Sequence, residues 1–404
     1  MSVSSTVSIL LLLCLDVFAT SARNFDDFSE CPQPLRKCSC RPVQLVEDQS
    51  PVYITNCTNT NFNNATVLKY VPIETEILIF TGNNLSMLPP NLFQTDVHYE
   101  KLQIIDLSNN SIESVRGKTF HNVRSVRKLI LSHNKFKILG DHFHPRLFSN
   151  FESLEELHLR DAFGDKERDA DFMAKFAILL AEAELTKLKV LHLESNSIQS
   201  FPHEFVFCSL PSLQKLYLAN NLLMDIRLNF TCTPKMMVLD VSDNFILTLN
   251  NDSLTFLEET SPIFHLNLTR NPFKCDCHFV DFFEWLKITK VWIFGQKTFH
   301  CASGFPETNI GRPLSAFKST DFQCYSTHES EMDSYVTASY VVLTSLLISL
   351  TILLAVLIYT NREYINNAWT NFKTQISLKR EYTSLEKHNK RQKADTQEVD
   401  EVAV

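Results

Sequence analysis

Residues 102–110 read LQIIDLSNN. Apolar side chains fall at Leu102, Ile105 and Leu107, and Asn110 closes the stretch. In an extended segment Ile105 and Leu107 point to one face and Asp106 to the other. The asparagine three residues later marks a bend. A buried bend leaves backbone N–H and C=O groups without partners unless a side chain supplies them. An asparagine amide both donates and accepts, so it can bond backbone groups of neighbouring turns.

The pattern recurs along the chain. Val126, Leu129, Leu131 and Asn134 repeat it, as do Leu188, Leu191, Leu193 and Asn196. Leu213, Leu216, Leu218 and Asn221 follow, then Met236, Leu239, Val241 and Asn244, then Ile263, Leu266, Leu268 and Asn271. A worn first copy keeps Leu78, Phe80, Asn83 and Leu85. The asparagines lie 23 to 27 residues apart within each run, the period of leucine-rich repeats. One such unit cannot bury its apolar face alone, whereas stacked units can. A further copy begins at Leu154, Leu157 and Leu159 but has Ala162 in place of asparagine. An insertion at 160–184 follows, with a charged lead-in and then Phe172, Phe176, Leu179 and Leu180 at helical spacing. It reads as a helix packed on the solenoid behind a solvated loop.

An open solenoid end exposes apolar core and needs a cover. Four cysteines (31, 38, 40, 57) precede the repeats and four (275, 277, 301, 324) follow them. Cys208 and Cys232 sit at nearly equivalent positions of consecutive repeats, so stacking brings them close enough to pair. Of 11 cysteines, only Cys14 falls in the first apolar segment. The remaining ten suit an oxidising compartment. Seven N-x-S/T sequons agree with that: Asn56, Asn64, Asn84, Asn109, Asn229, Asn251 and Asn267.

Two apolar segments flank this region. Residues 1–22 resemble a secretory signal peptide, although no Lys or Arg precedes the apolar run and Asp16 lies inside it. Residues 340–359 hold 20 residues without a charge, enough for a helix to cross a bilayer. Arg362 follows, which favours a cytoplasmic tail and an extracellular amino terminus. The expected organisation is a signal peptide at 1–22, an amino-terminal cysteine-rich cap at 23–73 and repeats at 74–270. A carboxy-terminal cap at 271–324, a stalk at 325–339, the membrane helix at 340–359 and a tail at 360–404 complete it.

The residues resemble a known family. The cap reading NPFKCDCHFVDFFEWLK (271–287), the segment TGNNLSMLP (81–89), the insertion near Asp165, the membrane stretch SYVVL (339–343) and the tail start YTNR (359–362) are similar to the trophoblast glycoprotein family. The similarity runs from Cys31 to about Lys373. It implies a single-pass cell-surface glycoprotein with an α/β leucine-rich repeat solenoid, a parallel concave sheet, disulfide-bonded caps at both ends and one transmembrane helix. It also implies a role in restraining Wnt/β-catenin signalling. A cell-adhesion molecule or co-receptor of the same repeat class is the alternative. Likeness to extracellular leucine-rich repeat proteins implies the pairs Cys31–Cys40, Cys38–Cys57, Cys275–Cys301 and Cys277–Cys324; the sequence alone allows other connectivities. The end of the tail, EVAV, departs from the family. Val402 and Val404 suit a PDZ groove by strand addition.

Partner surfaces follow from the outward strand positions. Ile77, Ile79, Ile104 and Ile130, with Lys128, form an expected protein-binding patch on the concave face, since contiguous exposed apolar surface marks interaction sites. The plainer reading is isoleucine chosen for strand propensity. Cations at 116, 118, 124, 127, 128, 135 and 137 read as a solvated face or as a heparan sulfate site. His158 and His192 lie close if the insertion loops out; a metal site needs more ligands in fixed geometry, and both are expected to be exposed.

Catalysis is not expected. Net charge is −8, without the basic excess of a nucleic-acid binder. No H-E-x-x-H, G-x-S-x-G or phosphate-binding glycine loop occurs, and glycine totals only 7. Cys275-Asp276-Cys277-His278 resembles metal ligands locally. Thiols committed to disulfides cannot bind metal as thiolates, so no cofactor is expected.

Overall fold

The computed structural model describes residues 31–46, 49–138, 144, 146–164, 170–260, 263–324 and 329–380. The expected leader at 1–22, the lead-in at 165–169 and Val402 and Val404 lie outside the described residues. The chain divides into two compact units, 1–325 and 326–404.

The first unit is a coil of stacked turns. It opens with an antiparallel pair, β1 (Ser39–Val43) and β2 (Val52–Asn56). β3 (Ile77–Ile79) joins β2 in parallel. On the returning side, β4 (Met87–Leu88) pairs with β6 (Ser114–Val115) in a small separate ladder. The main sheet continues through β5 (Ile104–Asp106), β7 (Lys128–Ile130), β8 (Glu156–His158) and β9 (Val190–His192). It then runs through β10 (Lys215–Tyr217), β11 (Val238–Asp240) and β12 (His265–Asn267). β13 (Lys274–Cys275) pairs with β15 (Ser303–Gly304) inside the carboxy-terminal cap, and β14 (Trp292–Phe294) extends the main sheet to 11 strands. From β2 onward every pairing in the main sheet is parallel.

Each repeat strand buries its middle residue and turns the two flanking side chains to the concave surface. Leu78, Ile105, Leu129, Leu157, Leu191, Leu216, Leu239 and Leu266 are all fully buried. Each contributes roughly 1.5–3 kcal/mol relative to exposure. The last repeat keeps Leu266, Leu268 and Asn271 in their expected places and departs only at its first apolar position. Ile263 is exposed, and Phe264 occupies the buried slot, 6.1 Å from the Phe230 ring. The larger ring fills a space that Ile263 was expected to fill.

The asparagines form a ladder of side-chain amides. Asn221 donates to the carbonyls of Leu193 (3.0 Å) and Leu218 (2.9 Å). Its oxygen accepts from the N–H groups of Asn196 (2.9 Å) and Ile198 (3.0 Å). Asn110, Asn134, Asn244 and Asn271 repeat this geometry. Ala162 interrupts the ladder, and the next amide, Asn196, reaches back to the Ala162 N–H at 3.0 Å. Packing compensates beside the gap. The insertion helix (Ala170–Glu182) buries Phe172, Phe176, Leu179 and Leu180, with Phe172 edge-on to Phe163 at 4.6 Å.

Both ends are closed by disulfides. Cys31–Cys40 and Cys38–Cys57 join the first turns, with Cα separations of 5.2 and 4.4 Å. Cys275–Cys301 and Cys277–Cys324 close the other end, at 5.6 and 4.8 Å. Cys208–Cys232 links consecutive repeats at 5.2 Å. The carboxy-terminal lid is a helix at Val280–Ile288 that buries Phe282, Phe283, Trp285 and Leu286. The Asp276 side chain caps the short turn before it, accepting from the His278 N–H.

The second unit contains a helix, Glu329–Thr360, followed by helical residues 362–380. Its segment Ser339–Thr360, 22 residues, is long and apolar enough to cross a membrane, and none of it is buried.

Candidate functional site

The register of the sheet builds the concave face as two columns. One runs Ile77, Ile104, Lys128, Glu156, Val190, Lys215, Val238, His265, Trp292. The other runs Ile79, Asp106, Ile130, His158, His192, Tyr217, Asp240, Asn267, Phe294. Three zones result.

The amino-terminal zone brings Ile77 and Ile104 side by side, with Lys128 next in line. Asp106 separates Ile79 from Ile130. All five candidate residues are half-buried rather than exposed. Lys128 is not a free cation, since its Nζ pairs with Glu156 at 2.9 Å.

The middle zone holds a stack of rings. His158 lies 4.1 Å from His192, and His192 lies 4.4 Å from Tyr217, all nearly parallel. The two histidines are half-buried, which corrects the expectation of exposed side chains. They are separated by the insertion in sequence, yet the helix packs away and the strands pair directly. His158 Nε2 lies 3.3 Å from Glu156, and His192 Nδ1 lies 2.9 Å from Glu194. The hydrogen bond from His158 holds the Glu156 carboxyl down at about 2, with Lys128 helping and burial opposing. Burial pushes His158 down, and its hydrogen bond to Glu156 opposes that. Burial and the nearby carboxylates of Asp240, Glu194 and Glu156 push the Tyr217 hydroxyl up.

The carboxy-terminal zone was missed in the sequence. Trp292 is 53% exposed and Phe294 is 50% exposed, on a strand contributed by the cap. His265 lies 4.7 Å from Trp292. The signal was present in WIF, where Ile293 is buried between two outward aromatics in the manner of a repeat strand. Asn267 stands beside Phe294 in register and is half-buried, and its oxygen accepts from the Thr269 N–H and hydroxyl. The other sequons Asn56, Asn64, Asn84, Asn109 and Asn251 are exposed, and Asn229 is half-buried.

Elsewhere some of the charges are paired. A groove of about 1000 Å³ follows the loops after the strands, where His133 pairs with Asp161 at 3.1 Å and Arg270 grips Asp243. The basic cluster is divided, with Arg124 paired to Glu152 and Lys137 to Glu113. Cys277, His278 and Cys324 converge, but both thiols are used in one disulfide, so the group offers a single imidazole to a metal.

Stacked repeats with a parallel concave sheet, disulfides at both ends and one apolar helix define a cell-surface leucine-rich repeat glycoprotein. The leucine rich repeat family model matches residues 74–136 and 100–161, and a two-copy repeat model matches 186–231. Trophoblast glycoprotein of Macaca fascicularis is 30% identical over 81% of this chain and 77% of its own length. Trophoblast glycoprotein of Homo sapiens is 30% identical over 85% and 77%. The crystal structure of human 5T4 (Wnt-activated inhibitory factor 1, trophoblast glycoprotein) superposes with a TM-score of 0.62 at 29% identity, covering 73% of this chain and all of that one. The chain belongs to the trophoblast glycoprotein family.

Proposed function

We propose that this chain is a single-pass surface protein with its repeats outside the cell, and that its concave face binds a protein partner to restrain Wnt/β-catenin signalling. The half-buried isoleucines Ile77, Ile79, Ile104 and Ile130 on three neighbouring strands of that face carry the binding reading. The Wnt reading rests on kinship with human 5T4, which is called a Wnt-activated inhibitory factor. A glycan on Asn267 would crowd the opposite end of the face and leave the isoleucine end open. Heparan sulfate remains a weaker ligand proposal, since ion pairs already engage three of the seven clustered cations. A PDZ-domain partner at Val402 and Val404 is a separate proposal for the tail.

The test is a β-catenin reporter in Wnt-stimulated cells expressing the full chain or its Ile79→Asp, Ile104→Asp variant. The expected result is suppression by the parent chain and its loss in the variant at equal surface display. Equal suppression by both overturns the isoleucine site. No suppression by either, with cell–cell aggregation instead, overturns the Wnt reading in favour of adhesion.

A further inference from the structure

Helical residues 362–380 carry four large apolar side chains, Ile365, Trp369, Phe372 and Ile376, at intervals of four, three and four. At roughly 100° per residue these fall within about 60° of one another, on one face. They are 43%, 55%, 55% and 41% exposed, and no described residue covers them. Trp369 and Phe372 stack at 5.9 Å. An apolar stripe of this size in water is a surface awaiting a partner.

Charge is arranged about that stripe. On the same wheel Arg362, Lys373 and Arg380 flank one edge and Lys379 the other, all within roughly 80° of its centre. The opposite side carries Glu363, Asn367, Thr370, Asn371, Thr374 and Ser377, with Tyr364 and Leu378 the exceptions to its polarity, so the segment's acid points away from its cations. Aromatics in the middle, cations at the margins and a mainly polar back are what a helix lying in a membrane interface presents. Long basic side chains at the margin can keep their heads at the phosphates while their stems rest on apolar surface.

The position of the segment identifies its partner. It follows Ser339–Thr360 directly, and that stretch spans roughly 33 Å as a helix, about one hydrocarbon thickness. Arg362 lies over the Tyr359 ring at 5.6 Å, an aromatic and a cation placed as boundary anchors. Asn361 is the single non-helical residue between the two helical stretches, and backbone bonds continue across it, with the Ile365 N–H donating to the Asn361 carbonyl at 2.9 Å. Its side-chain amide and its backbone N–H both donate to the Leu357 carbonyl, at 3.0 and 3.1 Å. Such competition for one carbonyl loosens a helix locally. A second copy of the chain is less well matched, because the stripe spans two heptads, short for a coiled coil, and its flanks offer no opposite charges to pair.

We propose that residues 362–380 turn at Asn361 and lie on the bilayer surface, seating Ile365, Trp369, Phe372 and Ile376 among the acyl chains and their cations against anionic headgroups. This rests on Ser339–Thr360 crossing the membrane.

The test uses the full chain, with Cys14→Ser, reconstituted at one copy per nanodisc. The ten other cysteines outside the tail are paired, so a single introduced thiol takes a fluorophore. Ala368→Cys labels the edge of the stripe, and Thr374→Cys labels the back. With phosphatidylserine present, the label at 368 should be quenched by lipid-borne nitroxide and shielded from aqueous iodide, and the label at 374 the reverse. Lys373→Gln should weaken surface seating roughly fivefold, as expected for one cation near an anionic leaflet. Trp369→Ser with Phe372→Ser should expose the label at 368. Equal iodide quenching at both positions overturns the proposal, and so does shielding that appears only when two copies share a disc. Extraction of the chain by alkaline carbonate, measured separately, overturns the membrane span instead.

Discussion

Replacing Asn221 by alanine probes the physical basis of the coil. Asn221 is 3% exposed and makes four hydrogen bonds of 2.9–3.0 Å, two given and two accepted. Alanine leaves two backbone N–H groups and two carbonyls without that partner. At about 1 kcal/mol net per bond the loss is ~4 kcal/mol, and less if water enters the gap. That is a large part of the 5–15 kcal/mol by which domains of ordinary size are stable. The neighbouring Asn220 supplies the control. Its side chain is exposed and its backbone has φ of 56°, so Asn220→Gly keeps the conformation and should change stability by less than ~1 kcal/mol. Asn221→Asp sharpens the test. Ionised, the carboxylate faces the Leu193 and Leu218 carbonyls with nothing to donate; protonated, it regains one donor. Relative to the parent chain, the aspartate variant should therefore be worse at pH 7 than at pH 4. The assay is urea unfolding of the secreted first unit, followed by far-ultraviolet circular dichroism. A defect in mid-array can also split one transition into two, because repeats couple only to neighbours. A loss below ~1 kcal/mol for Asn221→Ala, or an aspartate variant indifferent to pH, would refute the ladder as a source of stability.

Two further outcomes follow from the concave face and the repeat disulfide. Glu156 is held at about 2 when folded against an ordinary 4.5, so its stabilising contribution is complete above 4.5 and is lost as pH falls toward 2. His158, pushed down by burial, adds a loss of the same sign as pH drops below its ordinary 6.5. With Glu156 partly exposed, solvent screening reduces its share to ~1 kcal/mol. Glu156→Gln should remove that amount at pH 7 and flatten the urea midpoint between pH 4.5 and 2; an unchanged slope counts against the pairing. Replacing both Cys208 and Cys232 by alanine opens a loop of 24 residues and should lower stability by ~3 kcal/mol, read as the same urea midpoint. No change would mean that stacking of the two repeats already restrains the unfolded chain.

The repeats were legible because their physics is periodic. Leu129 and Leu131 must share a face, and Asn134 must satisfy the bend that follows, so their spacing alone carries the turn. Ile263 shows the limit of that logic. Either Ile263 or Phe264 could enter the slot, and only the packing against Phe230 decides it. The ring stack was legible in part. The repeat places His158 and His192 on outward positions that meet if the insertion loops out, as the strands do, but the period does not state that stacking with Tyr217 half-buries them. Trp292 and Phe294 were obscured by their setting among the cap cysteines, where a strand that extends the concave sheet was not expected. The helical stripe after the membrane segment follows a clear period of its own. Its meaning depends on neighbouring geometry, namely the interruption at Asn361 and the exposure of Trp369 and Phe372.

The break at Ala162 bears on how such a chain could have grown. The Ala162 turn has no amide to hand back to the Asn134 turn, whereas Asn196 still reaches back across the insertion to the Ala162 N–H and the Leu159 carbonyl. Between Asn134 and Asn196 no ladder asparagine stands (Asn150 lies outside the pattern), and the chain from Ala162 to Asn196 is 34 residues long, with room for a helix. The helix at Ala170–Glu182 lies within that length, so this turn can lengthen while Asn196 keeps its bonds to the turn before.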